Sequence, residues 1–333
     1  MTLAKVAAIA GVSVSTASKA FSGSREISDE TREIVYEAAK KCGCYEKYKK
    51  QRYDRRVFAV VIPETESEYY HKFALALEKL IEKNGDIMLM SSSHFNDERT
   101  RELFRYYTEF CRVDGIITVG STRLIDNAEN FPAVAIGRVC GGVEAIGHDI
   151  RPGISAAFDL LLKYGHERIG FIGEGLTVEK EAIVLEEAEK HGVFMRSGYI
   201  HRSDKRFAEA GCEGFRAFAE LDEPPSAVIC AYDYIALGVI DEAHRRGMKI
   251  PEDLSVIGMD NIGFTALDNI SLTTVSTDVD KLCEAALSRL YDRFKSRIPS
   301  KNKRLDTARL IPSELIIRGS VSYVGKGSYR NKA

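Results

Sequence analysis

The sequence predicts a small α-helical head of helix-turn-helix pattern, followed by a larger two-lobed α/β core in which parallel sheets are flanked by helices. Three observations predict it. Within the first 45 residues apolar positions recur at helical spacing in three short stretches, separated by turns that carry Gly and Ser. From Val57 onward, apolar runs of strand length alternate with amphipathic helical stretches, the pattern of parallel α/β layers. The charge also changes sign at that boundary: residues 1–56 hold 12 Lys/Arg against 7 Asp/Glu, a net +5, and the rest holds 35 against 42, a net −7.

A chain of 333 residues is too long for one small core, and about 150 residues per domain suggests two or three units. Nothing approaches the run of about 18 apolar residues that spans a bilayer, and "MTLAKVAAIAGVSVSTASKAF" carries Gly, Ser and Lys where a signal peptide needs an apolar stretch. The expected location is the cytoplasm, with no membrane partner. Seven cysteines, odd in number and scattered, argue for reduced core thiols rather than a disulfide framework. Cys42 and Cys44 are close together, but no further Cys or His follows soon after, so neither a metal nor a cofactor is expected.

In the head, "LAKVAAIA" places apolar residues at 3, 6, 7, 9 and 10, and Gly11 suits the left-handed turn that ends a helix. Ser13 caps a second helix whose Ala17, Ala20 and Phe21 face inward. Ser28 caps a third, Asp29 and Glu30 favour its positive end, and Ile34, Val35 and Ala38 are expected to close the core. In a helix-turn-helix the second helix lies in the DNA major groove. Ser13, Thr16 and Ser18 are short donors that let such a helix approach phosphates, Val14, Ser15 and Lys19 would face base edges, and Ser22 extends that surface.

The stretch "TLAKVAAIAGVSVSTASKAFSGSREISDETREIVYEAAKKCGC" resembles the DNA-binding head of the LacI/GalR (lactose-repressor/galactose-repressor) family of transcriptional regulators, with "AGVS..T.S" and "ISDETRE" as its specific marks. Lys5 stands where the family usually has Asp, and Ala17 where it usually has Val.

In the core, "VFAVVIP", "DIMLMSS", "VDGIITVG", "AVAIG" and "EAIGHD" read as strands, with helices over about 69–83, 97–110, 123–130 and 154–164. A second set follows with "RIGFIGE", "SGYIHR", "SAVICAYD" and "LSVIGMD", and helices over about 208–221 and 234–246. Ligands of open parallel sheets bind beyond the carboxyl ends of the strands, so the cleft between two such lobes is the expected site. Enzyme readings find little support: "GEGLTV" holds only part of a dinucleotide fingerprint, no Walker loop, "GxSxG" or "HExxH" occurs, and His166 reads as a helix-to-strand corner. The core resembles that family's effector-binding domain, which is similar to periplasmic sugar-binding proteins; "LLKYGHERIGFIG", "PPSAVICAYDYIALGVIDEAHRRGMKIPEDLSVIGMDN" and "IPSELIIRGS" carry the likeness.

A polyhydroxylated or anionic ligand needs carboxylates, an Arg and an aromatic face. Strand ends supply Arg138, Asp149, Arg202 and Asp260, and Tyr69 and Tyr70 follow the first strand where the family places stacking aromatics. The resemblance implies effector contact at Asp149, Arg202 and Asp260. It also matches Asp233 to the aspartate of an "ND" pair whose Asn is here Tyr232. Between head and core, "KYKKQRYDRR" lacks the Pro-Asn pair and the leucine that the family uses to wedge open the minor groove, and is shorter than the usual segment. Lys49, Lys50 and Arg52 remain as expected phosphate contacts.

The expected organisation is 1–45 helix-turn-helix; 46–56 basic linker; 57–325 effector-binding and dimerisation core, with a first lobe of about 57–164 and 276–303 and a second of about 165–275 and 304–325; and 326–333 basic tail. The expected function is that of a DNA-binding regulator, a repressor and not an enzyme. It would act as a homodimer on a near-palindromic double-stranded operator under a small sugar-like effector. The alternative is a small-molecule binding module that has weakened or lost operator specificity.

Overall fold

Gly11 decides where the first helix stops. In the computed structural model, which describes residues 2–22, 24, 26–48, 55–120, 122–123, 131–137, 139–140, 143–295 and 309–324, its φ of 66° and ψ of 28° end helix α1 (Leu3–Ala10) in a left-handed turn. Helix α2 (Val14–Ser22) follows at once. Ser28 then accepts the Thr31 N–H at 3.2 Å to start α3 (Asp29–Lys41), and a short α4 (Tyr45–Tyr48) ends the described head. Val6, Ala7, Ala17, Ala20, Val35, Ala38 and Ala39 make the core, with Cys42 and Cys44 in its floor. One inward residue differs from expectation: Ile34 is 48% exposed and Ala39 is buried instead. The phase is set by Val35, Ala38, Ala39 and Cys42, spaced three and four apart, and Ile34 lies one position off that stripe.

The chain divides into two compact units, 1–56 and 57–333. In the second, one sheet has β1 (Val57–Ile62) paired with β3 (Gly115–Val119). It continues to the edge strand β2 (Ile87–Ser92) on one side, and on the other through β5 (Ala133–Ile136) and β7 (Glu144–Asp149) to β13 (Arg309–Pro312), all parallel. A two-stranded pair, β4 (Thr122–Arg123) and β6 (Val139–Cys140), lies beside it in sequence. The other sheet runs β9 (Ile200–Ser203), β8 (Ile169–Glu174), β10 (Ala227–Cys230), β11 (Ser255–Met259), β12 (Thr273–Ser276) and β14 (Glu314–Ile316), parallel except for β14. Helices α5 (Glu68–Lys83) and α11 (Val279–Lys295) cover the first sheet, burying Phe73, Leu77, Leu282 and Leu290 against Phe58 and Ile117. Helices α8 (Val178–Lys190), α9 (Phe207–Ala219) and α10 (Asp233–Arg245) cover the second.

Two segments sit in the other lobe from the one expected. Helix α7 (Arg151–Lys163) buries Ile154, Ala157, Phe158 and Leu161 with Phe171 and Val275 of the second sheet, whereas the sequence places 57–164 in the first lobe. Strand β13 extends the first sheet, whereas the sequence places 304–325 in the second lobe. The chain therefore crosses after β7, after β12 and after β13. The helix expected over 97–110 is α6 (Asp97–Arg105) continued by a wider π-turn over Tyr106–Cys111, and the one expected over 123–130 falls mostly outside the described residues. His166 serves as a tie: Nδ1 meets Ser226 at 2.9 Å and Nε2 donates to the Ser322 carbonyl at 2.9 Å, with burial holding its pKa down.

Helices α9 and α10 touch through glycine. A Cβ on Gly211 would lie 2.0 Å from the Ile235 carbonyl oxygen, and one on Gly238 would lie 2.0 Å from that of Ala208. Neither neighbour is a flexible side chain, so the helices would have to part. Gly211→Ala or Gly238→Ala is expected to lower stability by about 1–3 kcal/mol in urea unfolding, and an unchanged midpoint would contradict this packing.

Candidate recognition helix and inter-lobe cleft

On the head, α2 turns Val14, Ser15, Ser18 and Ser22 outward, with Val14 49% exposed, while Ala17, Ala20 and Phe21 anchor the opposite face. Ser13 works as the cap: its Oγ accepts the Thr16 N–H at 3.0 Å and bonds the Thr16 hydroxyl at 2.8 Å. Lys19, the long cation of this helix, is ion-paired with Glu26. Lys49, Lys50 and Arg52 lie outside the described residues.

In the core, side chains from both lobes converge beyond the carboxyl ends of the strands. After β1, Glu64 accepts the Ser67 N–H at 2.9 Å and its hydroxyl at 2.6 Å, which fixes the turn into α5 and places Tyr69 and Tyr70 in its first turn. Their rings meet edge to face at 5.1 Å, and Tyr70 meets Phe95, past the end of β2, at 5.7 Å. Burial first, and then the Asp260 carboxylate, push both phenols well above their usual range.

Asp260 follows β11 with a φ of 97°, and Asn261 follows with 47°. Asp233 holds this turn from behind: fully buried, it accepts the Ile262 N–H at 2.9 Å and the Thr274 hydroxyl at 2.6 Å. In front, Lys180 in the first turn of α8 donates to Asp260 Oδ1 at 3.0 Å and to the Ala231 carbonyl at 2.8 Å. His148 adjoins them, and burial, then the Lys180 ammonium, hold its pKa down. Across the lobes, Lys72 donates to the Asn261 carbonyl and Glu68 accepts the Gly263 N–H. Tyr232, after β10, is 9% exposed; its hydroxyl accepts the Phe207 N–H at 2.9 Å and lies 3.5 Å from Glu174 Oε1. Burial pushes this phenol up to about 12. That contact pins Phe207, whose φ of 57° is unusual for a bulky residue, and with it the neighbouring Arg206.

Of the eight residues expected to hold an effector, the structure brings Tyr69, Tyr70, Tyr232 and Asp260 together. Asp233 stands behind the cleft. Asp149 caps α7, accepting the Arg151 N–H at 3.0 Å, and Arg202 is bidentate to Glu181 at 3.0 and 2.6 Å with its side chain half exposed. Arg138 lies outside the described residues. Phe95, His148, Glu174, Lys180, Arg206 and Phe207 join the cleft without having been expected from the sequence. Glu174 had a signal, because it ends "RIGFIGE" as Asp260 ends "LSVIGMD".

Asp233 gives the cleft a pH dependence. Burial first, with the Asp260 carboxylate adding, pushes its carboxyl up to about 8 from an ordinary 3.8. Between those values the folded protein holds a proton that the unfolded chain has released, so stability falls as pH rises through that window. The Tm is expected to drop between about pH 5 and pH 8 in the wild type, and less in Asp233→Asn, whose amide can donate to Thr274 and accept from Ile262. Parallel pH profiles of the two would contradict the assignment.

The model for bacterial regulatory proteins of the lacI family matches residues 2–45, over the head, and that for a periplasmic binding protein-like domain matches 158–321, across the second lobe and its return strands. The head is a LacI-family helix-turn-helix domain, joined to a periplasmic binding protein-like core. Among curated relatives, the HTH-type transcriptional repressor CytR of Escherichia coli (strain K12) is 29% identical over 335 residues, covering 96% of each chain. The HTH-type transcriptional repressor PurR of Erwinia tasmaniensis is 27% identical over 347 residues, covering 99% of this chain and 98% of its own. Among solved structures, the lac repressor dimer bound to operator and the anti-inducer ONPF shares the fold, with a TM-score of 0.70 at 20% identity over 97% of this chain and 99% of its own. No helix among the described residues is long and apolar enough to cross a membrane.

Proposed function

We infer that this chain is a sequence-specific DNA-binding transcriptional repressor of the LacI family, a cytoplasmic homodimer on a near-palindromic operator, controlled by a small polar effector held between its lobes. The observation that carries it is the outer face of α2, where Val14, Ser15, Ser18 and Ser22 form a short, small-residue surface over a packed Ala17–Ala20–Phe21 face. Such a face can enter a major groove without a long side chain holding it off. One helix of this length buries too little surface for tight binding, so two heads reading adjacent half-sites are required. A dimer surface is available: β2 is an edge strand with Leu89 39% and Met90 44% exposed, and α5, packed beside it, exposes Leu75 at 54%. The relatives are repressors by name, and the lac repressor structure holds two copies on operator DNA.

The effector shifts operator affinity only by its different affinity for two lobe arrangements. Lys72 and Glu68, which clasp the turn next to Asp260, are where occupancy of the cleft would reach the first lobe. Gel-shift with the protein's own upstream DNA tests the reading: retardation that a cleft ligand changes supports it.

The Lys19–Glu26 pair favours a second reading, a binding module whose head has lost operator specificity, because it occupies the long cation of α2. Absence of retardation at low salt would favour that module. For the linker, neutralising Lys49, Lys50, Arg55 and Arg56 in both protomers of the dimer is expected to weaken binding to all DNA sequences and flatten the slope of log affinity against log salt by up to about seven units. An unchanged slope would leave the segment a tether.

A further inference from the structure

Arg206 is the cleft residue whose hydrogen-bonding capacity is unused. Its guanidinium lies over the face of Phe95, from the first lobe, at 5.1 Å, and over that of Phe207 at 4.5 Å. Among the described residues it makes no hydrogen bond. Its Nε is buried without a partner, and the nearby Glu174 Oε1 is 3.8 Å away, an ion pair too long for a hydrogen bond. Glu174 is itself engaged, accepting the Leu176 N–H at 2.8 Å and facing the Tyr232 hydroxyl.

Three nearby cations of this lobe are hydrogen-bonded to carboxylates: Arg202 reaches Glu181 at 2.6 Å, Arg216 reaches Glu242 at 2.8 Å, and Lys180 reaches Asp260 at 3.0 Å. Arg206 is held in place by two rings and a backbone turn, with the long contact to Glu174 but no hydrogen bond. A guanidinium with its faces against aromatic rings presents its edge, and that edge matches two oxygens of a carboxylate or phosphate.

We propose that Arg206 anchors an anionic group of the effector, so that the effector is an acidic or phosphorylated small polar molecule rather than a neutral sugar. This rests on the reading of the cleft as the effector site. The anion meets the free edge of Arg206, while Asp260 and Lys180 offer an acceptor and a donor to hydroxyl groups farther along the molecule. Phe95 comes from the first lobe, so a ligand on Arg206 also touches the junction whose closure would be sensed.

Titration calorimetry and thermal shift of the full chain test it with galactose against galacturonate, glucose against glucose phosphate, and inorganic phosphate alone. An anionic member of a pair is expected to bind in preference to its neutral partner. Arg206→Gln is expected to weaken that binding about 10- to 100-fold with the Tm of the free protein unchanged, and Arg206→Lys to recover part of the loss. A neutral probe that binds equally to wild type and Arg206→Gln but is lost in Asp260→Asn overturns the anionic anchor and keeps the cleft. Failure of every anionic probe, inorganic phosphate included, to raise the wild-type Tm at millimolar concentration overturns the anchor as well. A ligand whose affinity is untouched by both substitutions overturns the anchor together with the cleft.

Discussion

Replacing Ser15 and Ser18 together with glutamate is expected to weaken binding to operator DNA about 1000-fold, because two carboxylates set against phosphates and base edges cost several kcal/mol. Both side chains are exposed on α2, three residues apart and on one side of the helix. Neither touches the core of Val6, Ala17, Ala20 and Val35, and a glutamate in the first turn suits the positive end of a helix. The head should therefore stay folded. Gel-shift with the upstream region and a circular-dichroism melt of the same preparation check both halves, and retention of wild-type affinity would remove α2 from the interface.

Asp260→Asn is expected to weaken effector binding about 100-fold or more while leaving operator affinity in the absence of effector within about threefold. The substitution removes a ligand acceptor and also leaves Lys180, whose side chain is 24% exposed, without its counter-charge. Asparagine is among the residues that tolerate positive φ, so the turn at 97° is kept. Calorimetry with an effector and gel-shift without one read the two quantities separately. A variant that binds effector normally would place the effector elsewhere.

Local signals carried the elements well. Gly11, Ser13 and Ser28 mark helix ends by chemistry that acts within four residues, and the structure uses each as a cap or stop. Ile34 was misplaced because three short helices select a narrow stripe of small residues, a tertiary choice that periodicity alone leaves open. The lobe to which α7 and β13 belong was hidden for a similar reason. An amphipathic helix or a short apolar strand does not record which of two sheets it joins, and three chain crossings separate sequence order from spatial order.

The cleft shows the same division. Tyr69, Tyr70, Tyr232 and Asp260 were visible because they sit at or just beyond strand ends, where parallel sheets present their ligands. Arg202 lies in β9 and Arg206 just beyond it, four residues apart, and nothing in the local sequence says which of them faces the cleft. Glu181, on a helix 21 residues before Arg202, engages the first, while Tyr232 holds Phe207 and leaves the second facing the cleft. Lys180 escaped notice because a lysine in the first turn of a helix is ordinarily a solvated side chain, and its partner lies 80 residues away.

Selection of bound sequences from random double-stranded DNA by the full-length, effector-free protein tests the central claim most directly. The account predicts enrichment of a near-palindromic site with two half-sites, lost when Ser15 and Ser18 are both glutamate. Recovery of no common sequence at low salt would contradict it.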